Sequence, residues 1–350
     1  MGTIEDVARE AKVSIATVSR VLNGSTRVNA DAAARVLAAV EKLQYRPSHA
    51  ARALRAQRTS TIGLLISDIQ NPFFTGLVRG VEDVAQQHGY SVILCNSDED
   101  PRKERQYVDV LCAEHVAGAI VVPASERSSS FQRFREFAIP VVTVDRRLDG
   151  RTTDAVLVDN VRGAHDAVAH LVAGGYRRIG LITGPISTTT GRQRREGYRK
   201  ALSEAGIPPD PTLECIGTFK EGSGADLAAG LLSLEPPIDA LFIANNLMTL
   251  GALETLQAHR LRIPGDVAVV AFDDVPWAEL ASISLSTVSQ PVYELGTTAA
   301  HRLFQRMQEK QENGELSHQE IVLSPNLRIR GSSRPLSTAG AAAATTNTPR

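Results

Sequence analysis

Residues 13–24 read VSIATVSRVLNG. At about 100° per residue from Ile15, a helix gathers Val18, Val21 and Leu22 on one side and Ala16, Ser19, Arg20 and Asn23 on the other. That second set, edged by Ile15, combines a forked cation with small side chains. A guanidinium can bond O6 and N7 of guanine while small apolar groups touch thymine methyls, so the face suits a DNA major groove. Thr17 and Ser19 would then reach phosphates. Helical spacing alone also permits a plain solvent-facing surface.

Other residue patterns that could carry chemistry are weaker. The eight histidines are dispersed, His165 and His170 are five apart and off a shared helical face, and neither H-E-x-x-H nor G-x-S-x-G occurs. GSGADL at 222–227 starts like a dinucleotide loop, but Leu227 stands where the last glycine belongs, and a helix N-terminus is the better reading. Carboxylates are common at strand ends. Without a nucleophile, metal cluster or phosphate loop they suit hydroxyl binding, so no cofactor and no catalysis are expected. Cys95, Cys112 and Cys215 lie in apolar segments without C-x-x-C spacing and read as buried structural thiols in a reducing compartment.

The elements that must position these residues fall into two textures. Residues 1–60 hold ten Lys or Arg against five Asp or Glu, and the remainder holds 28 against 34, so a basic module of net +5 precedes a body of net −6. Such a module fits an anionic polymer as partner. Thr3 can cap a helix with Ile4, Val7, Ala8 and Ala11 as its apolar stripe; Ser14 caps a second; Asn29 and Asp31 start a third through Val36, Leu37, Val40 and Leu43. The short link AKVS makes the first two cross steeply, as in a helix-turn-helix. Pro47 closes the third helix, and SHAARALRAQRT follows with helical propensity but little to bury; alone it should be frayed.

From Thr61 onward, near-continuous apolar runs alternate with helical stretches: TIGLLI, SVILCN, GAIVVP, PVVTVD and AVLVDN, then RIGLIT, LECIGT, ALFIAN and VAVVAF. Such runs are parallel strands covered on both faces, and the twofold recurrence predicts two doubly wound lobes. STVSQP is a late strand or crossover whose following helix returns to the first lobe. No run of 18 apolar residues occurs, and MGTIEDVARE lacks a secretory start, so a cytoplasmic protein without a membrane partner is expected. A transporter's solute-binding protein would share the two lobes, but would need export and no basic head. A nucleotide- or sugar-modifying enzyme is a third possibility.

TIEDVAREAKVSIATVSRVLNG and RVNADAAARVLAAVEKLQYRPSHAARALR, followed in order by DIQNPFF, VDN, TGRQRREGY, ANNLM, FDD and STVSQP, closely resemble the lac repressor/galactose repressor (LacI/GalR) family of bacterial transcription regulators, over about residues 2–333. The resemblance implies an all-α helix-turn-helix DNA-binding head (1–46), a hinge helix (47–60) and an α/β periplasmic-binding-protein-like core of two doubly wound parallel-sheet lobes (61–332). The first lobe would take about 61–160 and 291–318 and the second about 161–287 and 319–332; the tail at 333–350 is expected to be disordered from its low-complexity composition and not from the resemblance. The resemblance further implies a homodimer on a pseudo-palindromic double-stranded DNA operator, with an effector that either releases DNA or promotes binding.

Carried over by position, Ile15, Ala16 and Arg20 are the base-reading residues. Leu54 is the hinge leucine that enters the minor groove, beside Arg55 on phosphate or groove edge. Thr3, Ser14, Thr17, Ser19, Asn23 and Arg52 complete the expected DNA contacts. The effector site implied lies between the lobes, with Asp68, Asn71, Phe73, Phe74 and Asp145 from the first and Thr188, Thr190, Arg194, Phe219, Asn245 and Asp273 from the second. A sugar or sugar derivative is the favoured effector, since carboxylates, amides and a guanidinium bind hydroxyls and an aromatic ring covers an apolar sugar face. Phe74 could equally be core, Asp145 and Asp273 could cap helices, and Arg194 and Asp273 could pair with each other. The family often has Ser where Gln70 stands and Asp where Asn246 stands; the missing carboxylate leaves the effector's identity open.

Overall fold

The computed structural model describes residues 3–22, 28–45, 59–150, 153–276, 278–279, 283–311 and 318–334. The chain divides into two compact units, residues 1–59 and 60–350. In the first, α1 (Ile4–Ala11), α2 (Ile15–Leu22) and α3 (Ala30–Lys42) enclose Val7, Ala8, Ala11, Val18, Val36 and Ala39. Thr3 caps α1 in a reciprocal box with Asp6. Lys12 then adopts a left-handed φ of 53°, which stops the helix and turns the chain toward α2 within three residues. Val40 and Leu43 pack on this core as the apolar periodicity requires, whereas Leu37 is 57% exposed.

The second unit contains two six-stranded sheets. The first lobe begins with β1 (Thr61–Ile66), α4 (Pro72–Gln87), β2 (Ser91–Asn96), α5 (Pro101–Ala113) and β3 (Ala119–Val121), and continues through α6 (Gln132–Glu136), β4 (Val141–Val144) and β5 (Asp154–Val158). The second runs α7 (Asn160–Ala173), β6 (Ile179–Thr183), α8 (Thr189–Glu204), β7 (Glu214–Ile216), α9 (Glu221–Leu232), β8 (Ala240–Ile243), α10 (Asn246–Ala258), β9 (Ala268–Phe272) and β10 (Ser286–Ser289). The chain then returns as α11 (Val292–Gln311) to the first lobe, adds β11 (Glu320–Leu323) there, and crosses again to β12 (Asn326–Arg328).

Strand order is β11-β5-β4-β3-β1-β2 in one sheet and β12-β10-β9-β8-β6-β7 in the other. The first five strands of each lobe therefore share one winding, and the loops after their carboxyl ends form the crevice where such sheets bind ligands. Two details differ from expectation. β11 pairs in parallel with β5, so residues 320–323 belong to the first lobe and not to the second, where the boundary at 319 put them. β12 pairs antiparallel with β10, giving the second sheet one reversed edge.

Burial on both faces explains the apolar strands. In the first lobe Leu77 and Val81 of α4 with Leu295 and Leu303 of α11 cover one face, and Val108 and Leu111 of α5 with Phe134 of α6 cover the other. α4 and α11 touch through glycines: a Cβ on Gly80 would lie 2.4 Å from the Tyr293 carbonyl oxygen, and one on Gly296 2.2 Å from that of Leu77. Ser332 and Ser333 are buried, with Ser333 hydrogen-bonded to Ser286 and His170, so order extends past the expected start of the tail at 333. Cys95 and Cys112 are buried and Cys215 half-buried, and burial pushes the Cys95 thiol up to about 11.

Candidate functional site

In the head, α2 presents the two faces that its spacing dictates. Val18 is fully buried, while Ala16 and Arg20 are exposed, Ile15 is 38% exposed and Ser19 is half-buried. Ser14 caps the helix by accepting the Thr17 N–H at 3.1 Å, and the two hydroxyls lie 2.9 Å apart. The Thr3 hydroxyl is likewise engaged with Asp6. The side chains of Thr3, Ser14 and Thr17 thus shape helix N-termini, which are themselves suited to phosphate oxygens. Ile15, Ala16 and Arg20 are the outward set. Asn23, Arg52, Leu54, Arg55 and the expected hinge at 47–60, apart from its last two residues, lie outside the described residues.

In the core, ten of the eleven expected cleft residues line one crevice: Asp68, Asn71, Phe73, Phe74 and Asp145 from the first lobe, and Thr190, Arg194, Phe219, Asn245 and Asp273 from the second. Thr188 is the exception. Its hydroxyl caps α8, accepting the Gly191 N–H and donating to the Pro185 carbonyl, so its polarity is spent on the backbone. Phe74 both lines the cleft and belongs to the first lobe's core, with its ring edge-on to Phe73 at 5.0 Å.

Local conformation aims the carboxylates. Asp145 after β4 and Asp273 after β9 hold positive φ of 65° and 77°, the same departure at the same point of each lobe. Residues held in this sparsely populated region cluster at functional sites. Phe219 does the same at 62°, and its ring covers Gly184 so closely that a Cβ there would lie 2.0 Å from it. Asn71 and Asn245 are helix caps: Oδ1 of each accepts a backbone N–H, from Phe73 and Met248 respectively.

The charges are arranged in a network. Arg194 donates to Asn160 Oδ1 at 2.8 Å and to the Ala244 carbonyl, and stacks on Phe272 at 3.8 Å. It does not hydrogen-bond Asp273, whose carboxylate accepts from the Gln290 amide instead. Arg146 forks onto Glu99 at 2.6 and 2.7 Å, lies 3.6 Å from Asp145, and faces the Phe219 ring at 5.2 Å. Burial pushes the Asp145 carboxyl up to about 6, against the pull of Arg146 and Arg194. Burial also lowers the Arg194 guanidinium, which Asp273 and Asp145 only partly offset. A hydroxyl-bearing ligand replaces such mutual contacts with its own donors and acceptors.

Glu99, Arg146 and Gln290 line the same space and went unremarked in the sequence. The signals were present, since Arg146 follows Asp145 and Gln290 stands in STVSQP. Glu99 carried none, because its place depends on a left-handed turn after β2. Pairs also join the lobes directly. Lys220 meets Asp68, Asn246 meets Asn71, and Glu126 accepts from Thr189 and Arg192. The space left between these side chains admits about one water.

Residues 3–48 match the family model described as bacterial regulatory proteins, lacI family, and residues 168–333 match a periplasmic binding protein-like domain. The HTH-type transcriptional regulator RegA of Clostridium saccharobutylicum is 38% identical over 331 residues, covering 94% of this chain and 98% of that protein. Among solved structures, a transcriptional regulator CelR–cellobiose complex is 32% identical with a TM-score of 0.72, over 95% of this chain and 100% of that one. The lac repressor dimer bound to operator and the anti-inducer ONPF is 28% identical with a TM-score of 0.82, over 95% of this chain and 99% of that one.

Proposed function

This chain belongs to the lacI family of bacterial regulatory proteins, a family of DNA-binding transcriptional regulators and not enzymes, and from that premise we propose that it represses transcription as a homodimer on a pseudo-palindromic operator, in the cytoplasm, under control of a sugar-like effector. The observation that carries the reading is the pairing of an outward α2 face with a cleft whose lining is built from hydroxyl-binding groups. Arg20 reads a guanine edge, Ala16 and Ile15 meet methyl groups, and the N-terminus of α2 meets phosphate. Two heads related by a twofold axis read two half-sites about one helical turn apart or a multiple of it.

The dimer rests on apolar groups exposed along and beside the outer edges of β2 and β7. Leu94 on β2 is 39% exposed, Ile216 on β7 46%, Ile69 after β1 51% and Val110 on α5 45%. Edge strands with exposed apolar groups are open to pairing or packing by another chain, and a second copy closes them symmetrically.

In the cleft, Asp145, Asp273 and Asn245 bind hydroxyls, Arg194 bridges adjacent oxygens, and Phe219 covers a ring face. A hexose needs more room than these side chains leave between the lobes as they stand, so its binding is coupled to the spacing of the lobes. That spacing, passed to the hinges, is the coupling between effector and DNA. Sequencing of genomic fragments retained by the full-length protein, followed by footprinting, tests the reading. Paired, inverted half-sites support it, and single unpaired half-sites refute the dimer.

A further inference from the structure

Asn246 opens α10 in the second lobe and is 4% exposed; its Nδ2 donates to Oδ1 of Asn71, the cap of α4 in the first lobe, at 2.8 Å. The same Asn71 oxygen accepts the Phe73 N–H at 2.9 Å. Asn71 must therefore present its oxygen, and Asn246 must present its nitrogen; the opposite amide orientation would set two carbonyl oxygens face to face. The other end of the Asn246 amide, Oδ1, is buried without a partner. A buried amide that leaves its oxygen unpaired while donating across a cleft tolerates a cost for that one bond.

We propose that Asn246 is a positioning residue for lobe closure: in this chain, where the family often has Asp, its amide ties the N-terminus of one lobe's helix to that of the other, and that donated bond favours the closed cleft. This rests on the effector-controlled reading above for its use but not for its test. A carboxylate at 246 has no proton to give. It would face Asn71 Oδ1 and stand beside Asp273, whose Oδ2 is 3.4 Å from the Asn246 backbone N–H. The neighbouring charges that also face this part of the cleft are Asp68 after β1, Glu99 after β2, Asp145 and Arg146 after β4, Arg194 on α8 and Lys220 before α9. Of these acids, Asp145 is pushed up to about 6 by burial, so the wild type is measured at every pH as the reference.

The experiment is pulsed electron–electron distance measurement on the full-length protein. Spin labels are carried on cysteines replacing the exposed Arg102 and Glu221, at the starts of α5 and α9, with Cys215→Ser. Asn246→Asp shifts the distribution to longer distances at pH 8 and back toward the wild type at pH 4, where its carboxyl regains a proton. Asn246→Ala lengthens the distances equally at both values. Asn71→Asp, which keeps an acceptor for both donors, stays closed at pH 8. The proposal is overturned if Asn246→Asp and Asn246→Ala keep the wild-type distances at pH 8, or if the Asp variant opens to the same extent at pH 4 and pH 8. Should the Asp variant not fold, the Ala variant and Asn71→Asp decide it: closure retained in the first, or lost in the second, rejects the tie. Operator binding plays no part in the readout, so failure here leaves the regulatory reading standing.

Discussion

Lys220 Nζ and Asp68 Oδ2 meet at 2.5 Å across the cleft, although they are 152 residues apart in the chain. The Asp68 side chain is only 5% exposed and that of Lys220 37%. Removing the cation strands a nearly buried carboxylate; removing both partners does not. Lys220→Met should therefore destabilise the core by about 1 kcal/mol, toward the low end for an orphaned charged group because Lys220 is partly in water. Urea unfolding checks this, and the double variant with Asp68→Asn should recover part of the loss. With Asp68→Asn measured alone to close the cycle, single losses that sum to the loss of the double variant would show that the pair has no energetic coupling.

Arg20 stands on the outer face of α2 with no partner role in the head's core. Arg20→Ala should weaken operator binding by about 1–3 kcal/mol and relax preference at one base pair per half-site, with head stability unchanged. Anisotropy titrations on operators varied at single positions measure both effects. Uniform weakening across all positions would instead make Arg20 a phosphate contact.

Leu54 has its expected role from the family resemblance alone, as a wedge that offsets unstacking by letting bent DNA touch more protein. Leu54→Ala should reduce operator bending together with affinity. Circular-permutation gels compare the bend directly, and an unchanged bend angle removes the wedge.

Asp145 supplies a pH dependence whose sign is fixed by its raised carboxyl. The folded value is about 6 against an ordinary 3.8, so the folded protein holds this proton more tightly than the unfolded chain does. Its contribution to stability is complete below the ordinary value and is lost as pH rises toward and through about 6. Asp145→Asn should thus raise stability at pH 7 by up to about 2–3 kcal/mol, less whatever its contact with Arg146 contributes, and should do little near pH 4. Thermal unfolding of both proteins across pH 4–8 gives the difference curve. A gain that is flat with pH would assign the effect to packing.

Much of this arrangement was legible in the sequence because its period and its punctuation agree. Apolar runs mark the strands, and Val18 facing inward follows from helical spacing. Where sequence reasoning failed, the cause was non-local. Residues 320–323 carry a strand pattern that either sheet could accept, and only packing beside β5 assigns them. The direct pairing of Arg194 with Asp273, open on charge alone only as an alternative to ligand binding, is not made: Ala244 and Asn160 hold the guanidinium and Gln290 holds the carboxylate. Those partners lie on separate elements that no sequence spacing relates.

The most direct measurement is the affinity of the full-length protein for its retained genomic site, titrated with and without a panel of neutral sugars, in wild type and in Arg194→Ala. A sugar that changes operator affinity about 5-fold to 150-fold in the wild type, and has no such effect in Arg194→Ala, is the predicted result. Tight, sequence-specific binding that no small molecule in the cleft alters, or a sugar response that survives loss of Arg194, would contradict it.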